Sequence, residues 1–320
     1  MTGRLSIAIP VFNEEQVVPE LVRRVTAVLD AIPGGPHEVV VVDDGSSDRT
    51  VELLSQAAER DPRIRVVVLS RNFGQQAAFS AALAHVTGDA VVLMDGDLQD
   101  APEVVPDFLA LFDQGYDVVY ARRVKRKENV LLRLSYALSY RVIAWLSDIA
   151  LPVDAGDFAL LSRRVVAELN ALPERQRYLR GLRTWVGFRQ TGLDVERHER
   201  RAGRPKYNLR QLGQLAFDGL MAFSVAPLRA AALLGAASVA VSTLFAAYAV
   251  YVRLVLGRSP QGFTALLVAF TFLSGIQLFF MGVIGEYVGR VYEEAKGRPT
   301  FIVARVIEKQ SGSAVRATVS

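Results

Sequence analysis

The amino-acid sequence predicts an α/β fold, a doubly wound and mostly parallel sheet, followed by two membrane-spanning helices. Two observations predict it. Short apolar runs alternate with helix-length segments through roughly the first 120 residues, and two long uncharged stretches lie in the last third of the chain. Hydrophobic residues make up 51% of the 320 residues, a high share for a protein that meets only water.

Hydrophobic periodicity predicts each element of the sheet in turn. Five short apolar runs are expected to be strands, at residues 5–9, 38–42, 64–69, 90–94 and 117–120. Four segments with apolar residues at three- and four-residue spacing are expected to be helices, at residues 14–30, 48–60, 75–86 and 102–114. This alternation is typical of parallel strands with helices on both faces.

Composition excludes several classes of site. The chain has no cysteine, which excludes disulfides, a thiol nucleophile and a cysteine-ligated zinc site, and three scattered histidines do not favour a histidine-rich metal site. No G-x-G-x-x-G or G-x-x-x-x-G-K motif follows the first two predicted strands, so glycine-rich loops would not hold a nucleotide. The net charge of +4 suits an anionic membrane surface or anionic substrates, or reflects basic ends of membrane helices, and we expect no nucleic-acid partner.

Closely spaced carboxylates follow the fourth predicted strand. Asp95 and Asp97 lie two residues apart where the apolar run ends, and in an extended segment such side chains point the same way. Open α/β sheets bind ligands outside the carboxyl ends of their strands. Two carboxylates there can share a hard cation, which would in turn hold a diphosphate. The alternative interpretation is a polar turn.

Polar residues also follow the first two predicted strands. Asn13 and Glu14 come after the first strand, and Asn13 could simply cap the next helix. Asp43 and Asp44 come after the second strand, before a glycine turn, and suit hydrogen bonds to a base and a ribose. The alternative for that segment is a helix N-terminus capped by Asp48.

Four motifs, in order along the first half of the chain, carry a resemblance to a known family: IPVFNEE, VVDDGSSDRT, SRNFGQQAA and DGDLQDAPE. The sequence resembles the inverting GT-A glycosyltransferases, and within them the membrane-bound polyprenyl-phosphate glycosyltransferases. The resemblance implies a Rossmann-like GT-A domain. Its implied nucleotide-binding residues are Pro10, Asn13, Glu14, Asp43, Asp44 and Asp95. Its implied ligands for a divalent cation, Mg²⁺ or Mn²⁺, are Asp95, Asp97 and Gln99.

The reaction implied by the resemblance is the inverting transfer of a hexose from a nucleotide sugar to polyprenyl phosphate, an undecaprenyl or decaprenyl lipid. UDP-glucose is the expected donor, with GDP-mannose and an aminoarabinose donor as alternatives. Asp157 matches the proposed base of the family, although its place before an apolar segment also fits a helix N-cap. A missing Q-x-x-R-W motif disfavours a processive polysaccharide synthase. A non-catalytic nucleotide-binding membrane protein is a further alternative.

Basic residues are expected to bind the acceptor phosphate. Arg122 and Arg123 begin a basic run after the fifth predicted strand, which is either a solvated loop or a phosphate-binding segment. Arg200 and Lys206 match the family's acceptor loop, in which Pro205 replaces a small hydroxylated residue. The resemblance thus implies Arg200 and Lys206 as acceptor-binding cations, and the position of Arg122 and Arg123 after a strand makes them further candidates.

The C-terminal third predicts membrane insertion. Residues 230–252 and 263–285 carry no charge and are long enough to span a bilayer, and the basic residues after them favour a cytoplasmic tail. We expect a catalytic domain at 1–227 with interfacial helices near 129–150 and 208–226, a two-helix hairpin at 228–292, and a tail at 293–320 with a strand at 300–307. The expected location is the inner (plasma) membrane. In similar proteins such a tail pairs with a neighbouring subunit, which favours a homo-oligomer, a tetramer or dimer.

Overall fold

The computed structural model describes residues 3–123, 155–175, 177–195, 226–255, 262–309 and 316–318. Both predicted interfacial helices lie almost entirely outside these residues, as do Arg200 and Lys206. The chain divides into two compact units. One contains the sheet with its helices, and the other contains the two long C-terminal helices.

The described strands form one nine-stranded sheet in the order β7-β5-β6-β4-β1-β2-β3-β8-β9. Their bounds are β1 Leu5–Val11, β2 Glu38–Asp43, β3 Ile64–Leu69, β4 Ala90–Leu93, β5 Val118–Arg123, β6 Ala155–Ser162, β7 Gln190–Val195, β8 Val303–Glu308 and β9 Arg316–Thr318. Strands β4, β1, β2 and β3 pair in parallel, as do β5 and β7, whereas β6 and β8 run antiparallel to their neighbours. The predicted doubly wound, mostly parallel sheet is confirmed.

Helices cover both faces of this sheet. Their bounds are α1 Val18–Ala31, α2 Thr50–Arg60, α3 Gln75–His85, α4 Val105–Phe112, α5 Arg163–Ala171 and α6 Leu179–Trp185, with a short 3-10 turn at Pro102–Val104. Helices α1, α2 and α4 pack on the face that carries Ile7, Val39 and Val41. Helices α3, α5 and α6 bury apolar residues on the other face. Every residue of β1 and β2 is buried, which explains their nearly continuous apolar sequences.

The antiparallel strand β6 was not predicted, and it changes the interpretation of Asp157. This residue lies within β6 and does not cap a helix; Ser162 caps α5 instead, with its side chain accepting a hydrogen bond from Val165 N. Strand β6 pairs with β4 on one side and β5 on the other. Asp157 is therefore a sheet residue next to the strand that precedes Asp95.

The tail strand predicted at 300–307 is present as β8, and it pairs antiparallel with β3 of the same chain. Arg65 on β3 donates to Glu308 on β8 at 2.6 Å. The tail therefore belongs to the sheet of its own chain.

The second unit consists of helices α7 Ala226–Val255 and α8 Phe263–Ala295. Within them, Ala231–Val255 and Val268–Ala295 are long and apolar enough to cross a membrane. Large apolar side chains such as Leu244, Phe270 and Phe272 are exposed along both helices. Two apolar helices joined by a short connection could form the predicted hairpin.

Candidate functional site

Polar side chains gather at the carboxyl edge of the parallel strands. Asp43 ends β2 and pairs in register with Val11, the last residue of β1. Leu93 is the last residue of β4. It pairs with Ala8 of β1 on one side and with Ala159 of β6 on the other. Because β1, β2 and β4 are parallel neighbours, the segments that follow them meet at one edge, where open α/β sheets bind ligands.

The segments after β1 and β2 are tied together by Asn13. This residue has a left-handed backbone (φ 52°), which asparagine tolerates well. Asn13 Oδ1 accepts a hydrogen bond from Ser47 N at 2.8 Å, and Asn13 N donates to Ser46 Oγ at 2.9 Å. Helix α1 begins only at Val18, so the alternative in which Asn13 caps it is wrong. Glu14 N donates to Thr50 Oγ1 at 2.9 Å and adds a second link between the same segments. Pro10 lies within β1 and is buried.

Asp43 is a fully buried carboxylate, and one of its oxygens is buried without a hydrogen-bond partner among the described residues. Its Oδ2 accepts hydrogen bonds from Gly45 N and Ser46 N, both at 3.1 Å. Its Oδ1 has no hydrogen-bond partner among the described residues. Burial raises the pKa of Asp43, and the interaction with the Ser46 side chain and the two backbone donors only partly offset that effect. A ligand N–H directed at Oδ1 would satisfy this buried acceptor.

Gly45 makes the turn after Asp43 possible. Its backbone is left-handed (φ 72°), and a Cβ there would come within 2.5 Å of the backbone carbon of Arg71. Any other residue would therefore displace the neighbouring segment.

Asp44 supports that neighbouring segment, 70–74, from inside the protein. Its two carboxylate oxygens accept hydrogen bonds from Phe73 N at 2.7 Å and Gly74 N at 2.9 Å. Only 3% of its surface is exposed, and burial raises its pKa. The structure uses Asp44 to hold a loop, and its predicted contact with a nucleotide stays a prediction.

The segment after β4 is a turn, and Leu98 within it has a left-handed backbone (φ 57°). Asp95, Asp97 and Gln99 are half-buried, whereas Gly96 and Leu98 between them are buried. The backbone is therefore not extended here, and the shared binding of a cation by Asp95 and Asp97 stays a prediction. A Cβ on Gly96 would lie 2.7 Å from Val11 Cγ1, so glycine is needed for the close approach to β1.

The two carboxylates of this segment already accept hydrogen bonds within the chain. Asp95 Oδ1 accepts from Gln75 Nε2 at 2.6 Å, and Asp97 Oδ1 accepts from Gln99 N at 3.1 Å. Among the described residues, no group of three or more histidines, cysteines or acids could hold a metal ion. Mg²⁺ is commonly bound by one or two carboxylates together with substrate phosphates, so a two-carboxylate site fits such a cation.

Asp157 is paired with an arginine that the sequence analysis did not single out. Arg180 on α6 donates from Nη2 to Asp157 Oδ2 at 3.1 Å and from Nε to Oδ1 at 3.4 Å. Arg183, one helical turn further, is buried behind them. The basic and aromatic segment 175–185 was noticeable in the sequence, but only the fold shows which of its arginines meet Asp157.

Two glutamines of the SRNFGQQAA motif also act at this edge. Gln75 contacts Asp95, as described above, and Gln76 Oε1 accepts a hydrogen bond from Leu179 N at 2.9 Å, at the start of α6. The sequence motif contains both glutamines, but it did not indicate which residues they contact.

The predicted acceptor-binding cations are only partly described. Arg122 lies in β5, within a strand and not in a loop, and its guanidinium pairs with Asp194 of β7. The pairing raises the pKa of Arg122 and lowers that of Asp194. The backbone of Arg123 ends β5, but its side chain is outside the described part of the structure, like Arg200 and Lys206.

Comparisons with known proteins identify the family. The family model described as Glycosyl transferase family 2 matches residues 6–169. The chain is 40% identical to the uncharacterized glycosyltransferase YkcC of Bacillus subtilis over 94% of this chain and 93% of that protein. It is 37% identical to the SfII prophage-derived bactoprenol glucosyl transferase of Shigella flexneri over 94% of this chain and 98% of that protein.

A solved structure shares the fold. It is glucosyl-3-phosphoglycerate synthase from Mycobacterium tuberculosis in complex with Mn²⁺, UDP and glucosyl-3-phosphoglycerate, with a TM-score of 0.51 and 21% identity over 68% of this chain and 78% of that one. With the family model and the near full-length relatives, this likeness leads to one conclusion. The chain is a glycosyltransferase that belongs to glycosyl transferase family 2.

Proposed function

We propose that the enzyme transfers a hexose, glucose from UDP-glucose, to polyprenyl phosphate with inversion at the anomeric carbon. The observation that carries this proposal is the gathering of Asp43, Asp95 and Asp97 at one edge of the sheet, in a chain with two helices apolar enough to cross a membrane. Relatives named bactoprenol glucosyl transferase, matched over almost their whole length, support a lipid phosphate as acceptor.

The nucleoside side of the site rests on Asp43. Its buried Oδ1 lacks a partner among the described residues, and a buried acceptor left unpaired is unfavourable. A pyrimidine base carries an N–H that can fill this position. Asn13 and Glu14 shape the adjoining loop through their links to Ser47 and Thr50, and we place Pro10 beside them at the end of β1.

The diphosphate side rests on Asp95 and Asp97. These two carboxylates, with the side chain of Gln99, would hold the divalent cation, Mg²⁺ or Mn²⁺. When bound, the cation supplies positive charge against the negative charge that develops on the leaving diphosphate. Gln75 holds Asp95 in place from α3.

The acceptor needs positioning more than deprotonation. A phosphate monoester has a second pKa of about 6, so it is largely dianionic and nucleophilic at neutral pH. Its oxygen attacks the anomeric carbon, the bond from that carbon to the nucleoside diphosphate breaks, and a single displacement inverts the configuration. We assign Arg122, Arg123, Arg200 and Lys206 to the acceptor side.

The membrane arrangement is part of the proposal. A cytoplasmic catalytic domain at 1–227, two spans at 228–292 and a cytoplasmic tail at 293–320 would let the site meet a lipid headgroup at the inner face of the membrane. The excess of Lys and Arg after the second apolar stretch supports a cytoplasmic tail. A homo-oligomer stays part of the proposal, but the tail strand no longer supports it, because β8 pairs with β3 of its own chain.

The test is a transfer assay on purified membranes that contain the protein. Polyprenyl phosphate is incubated with Mg²⁺ or Mn²⁺ and, in separate reactions, with UDP-glucose, GDP-mannose or an aminoarabinose donor, and the lipids are identified by mass. We expect a hexosylated polyprenyl phosphate from UDP-glucose that is absent in EDTA. No lipid-linked sugar from any donor would contradict the proposal, and a product from another donor only would correct the sugar.

A further inference from the structure

A cluster of one carboxylate and two arginines lies where β6 meets α6. Arg180 forms a two-point ion pair with Asp157 at 3.1 and 3.4 Å. Arg183 lies behind this pair, donates from Nη1 to Gly156 O at 3.4 Å and places its guanidinium 5.1 Å from the centre of the Tyr120 ring. The two guanidinium groups outnumber the one carboxylate, so the cluster carries net positive charge.

Arg183 shows that the charge of Asp157 is used inside the protein. Its side chain is 2% exposed, and its Nε and Nη2 have no hydrogen-bond partner among the described residues. Burial lowers the pKa of Arg183 to about 10, and the negative charge of Asp157 acts against that lowering. Asp157 is therefore an anion that favours the charged form of this buried arginine.

The strand register places this cluster beside the donor site. Strands β4 and β6 pair antiparallel up to Leu93 and Ala159, and Asp95 and Asp157 each lie two residues beyond that last pair, at the same end of the two strands. The pairing of β6 with β5 is irregular at this point. Between the pairs Tyr120–Ala159 and Arg122–Ala155, β5 has one residue, Ala121, whereas β6 has three, residues 156–158. Bulges of this kind redirect side chains next to active sites.

The chemistry of the acceptor decides what such a cluster can do. A dianionic phosphate needs no base, and an uncompensated carboxylate beside it would repel it. A guanidinium, in contrast, has five N–H donors, so Arg180 can donate from Nη1 and the second N–H of Nη2 to a phosphate while its Nε and Nη2 hold Asp157. The side chain of Arg180 is 25% exposed, whereas that of Asp157 is 16% exposed. The cation is thus the more accessible member of the pair.

We propose that Arg180 binds the phosphate of the acceptor lipid, and that Asp157 and Arg183 are positioning residues that hold Arg180 in place for it. This inference rests on the proposed function, since it needs a phosphate as the nucleophile. The start of α6 is fixed to α3 by the hydrogen bond from Leu179 N to Gln76, next to the Gln75 that holds Asp95. Helix α3 therefore contacts both the helix that carries Arg180 and the carboxylate of Asp95.

The experiment measures transfer by the full-length protein in detergent, with UDP-glucose and polyprenyl phosphate varied in turn. Arg180→Met removes the guanidinium and keeps much of the apolar stem, and Arg180→Lys keeps the charge without the two-point geometry. The matched control is Arg23→Met, which removes an exposed arginine that forms a comparable two-point pair with Glu20 on α1. Thermal unfolding of each variant separates loss of function from loss of fold.

We expect Arg180→Met to raise the KM for polyprenyl phosphate about 10- to 100-fold, the range for loss of hydrogen bonds to a charged group. The KM for the donor should stay within about twofold, because the arginine does not bind the nucleotide, and Arg180→Lys should fall between the two. Arg23→Met should match the wild type. A purely structural role for Arg180 would instead lower the melting temperature and leave the ratio of the two KM values unchanged.

Asp157→Asn gives an independent test of the positioning role. We expect it to raise the KM for the lipid while kcat at saturating lipid stays within about tenfold of the wild type, because the phosphate is its own nucleophile. A kcat loss above about 100-fold with an unchanged lipid KM would overturn the positioning role and support a base. An active wild type whose Arg180→Met variant keeps the lipid KM would overturn the assignment of Arg180. A wild type that transfers no sugar to the lipid would instead overturn the proposed function.

Discussion

The two ends of strand β2 each bury a carboxylate, and the two carboxylates are treated in opposite ways. At the amino end, Glu38 accepts hydrogen bonds from Ser6 Oγ at 2.6 Å, Thr87 N at 2.6 Å and Thr87 Oγ1 at 2.9 Å, and it pairs with Arg4 at 2.9 Å. At the carboxyl end, five residues later, Asp43 keeps one oxygen without a partner among the described residues. The chain satisfies the carboxylate at one end, and at the other it leaves a buried oxygen without a donor among the described residues.

The pKa shifts of the two acids follow from this difference. Burial raises the pKa of both groups, but for Glu38 the donors from Ser6 and Thr87 and the charge of Arg4 outweigh burial, so its pKa is lowered. For Asp43 burial dominates and its pKa is raised. The comparison teaches that the amino end of β2 stabilises its buried acid, whereas the carboxyl end holds an acid that burial destabilises, as the proposed nucleotide site requires.

The largest expected effect comes from a second acid at the carboxyl edge. Asp97→Ala should lower kcat for sugar transfer about 100- to 1,000-fold, because it removes a group that holds charge against the leaving diphosphate. The half-buried side chain is not part of the core, so the melting temperature should change little. Steady-state transfer and thermal unfolding measure the two effects. A variant with wild-type turnover would remove Asp97 from the site.

Asp43→Asn should weaken UDP binding about 10- to 100-fold without loss of stability. The amide keeps an acceptor for Gly45 and Ser46 but loses the charged oxygen that faces the ligand. Calorimetric titration of UDP with Mn²⁺ measures the affinity. Unchanged affinity would show that the open oxygen does not contact the nucleotide.

The pH dependence of the free energy of unfolding of Asp43→Asn gives a second test of the difference between Asp43 and Glu38. A carboxyl with a raised folded-state pKa binds its proton more tightly in the fold, so it lowers stability as pH rises from its ordinary pKa through the raised one. Asp43→Asn should remove this loss. Chemical unfolding across the acid range, with wild-type protein as reference, measures it.

Glu38→Gln should destabilise the protein by about 1–3 kcal/mol and leave kcat for the folded enzyme unchanged. The glutamine oxygen can accept only part of the hydrogen bonds that the carboxylate accepts, and the charge beside Arg4 is lost. Because the pKa of Glu38 is lowered in the fold, its contribution is present above its ordinary pKa and disappears as pH falls through the lowered one. A loss of stability that persisted equally at acid pH would contradict this account.

The smallest expected effect is at Gln75. Gln75→Ala should weaken apparent Mn²⁺ affinity in the presence of UDP about 2- to 10-fold, because the side chain only orients Asp95 from an exposed position. Melting temperature should not change. Gln56→Ala, which removes a half-buried helical glutamine whose one side-chain hydrogen bond among the described residues is to Glu52, serves as the control. An equal effect of both substitutions would show that Gln75 does not act through Asp95.

The sequence predicted the parts of the sheet that are buried on both faces. Strand β3 has the predicted bounds, and β1, β2 and β4 differ only at their ends, because a continuous apolar run leaves few alternatives. The segment after β4 was expected to be extended, but it turns at Gly96 and Asp97, with Leu98 in the left-handed region. The local hydrophobic pattern was sufficient to predict these strands and the position of the polar residues that directly follow them.

The sequence did not predict what depends on long-range pairing. Strand β6 inserts antiparallel between β4 and β5, and its polar start, with Asp157, resembles a helix-capping segment. Arg180 is 23 residues from Asp157, and nothing local to either residue predicts their pairing. The sequence also did not predict that Asp43 Oδ1 is buried without a hydrogen-bond donor among the described residues. A motif does not show which donors the fold brings to a carboxylate.

The most direct test of the central claim is a crystal structure of the protein with UDP and Mn²⁺, with data collected for the anomalous signal of manganese. The account predicts one strong anomalous peak between Asp97 and the diphosphate, with the uracil N–H directed at Asp43 Oδ1. Nucleotide bound away from the carboxyl edge of β2 and β4, with no manganese beside Asp95 and Asp97, would contradict it.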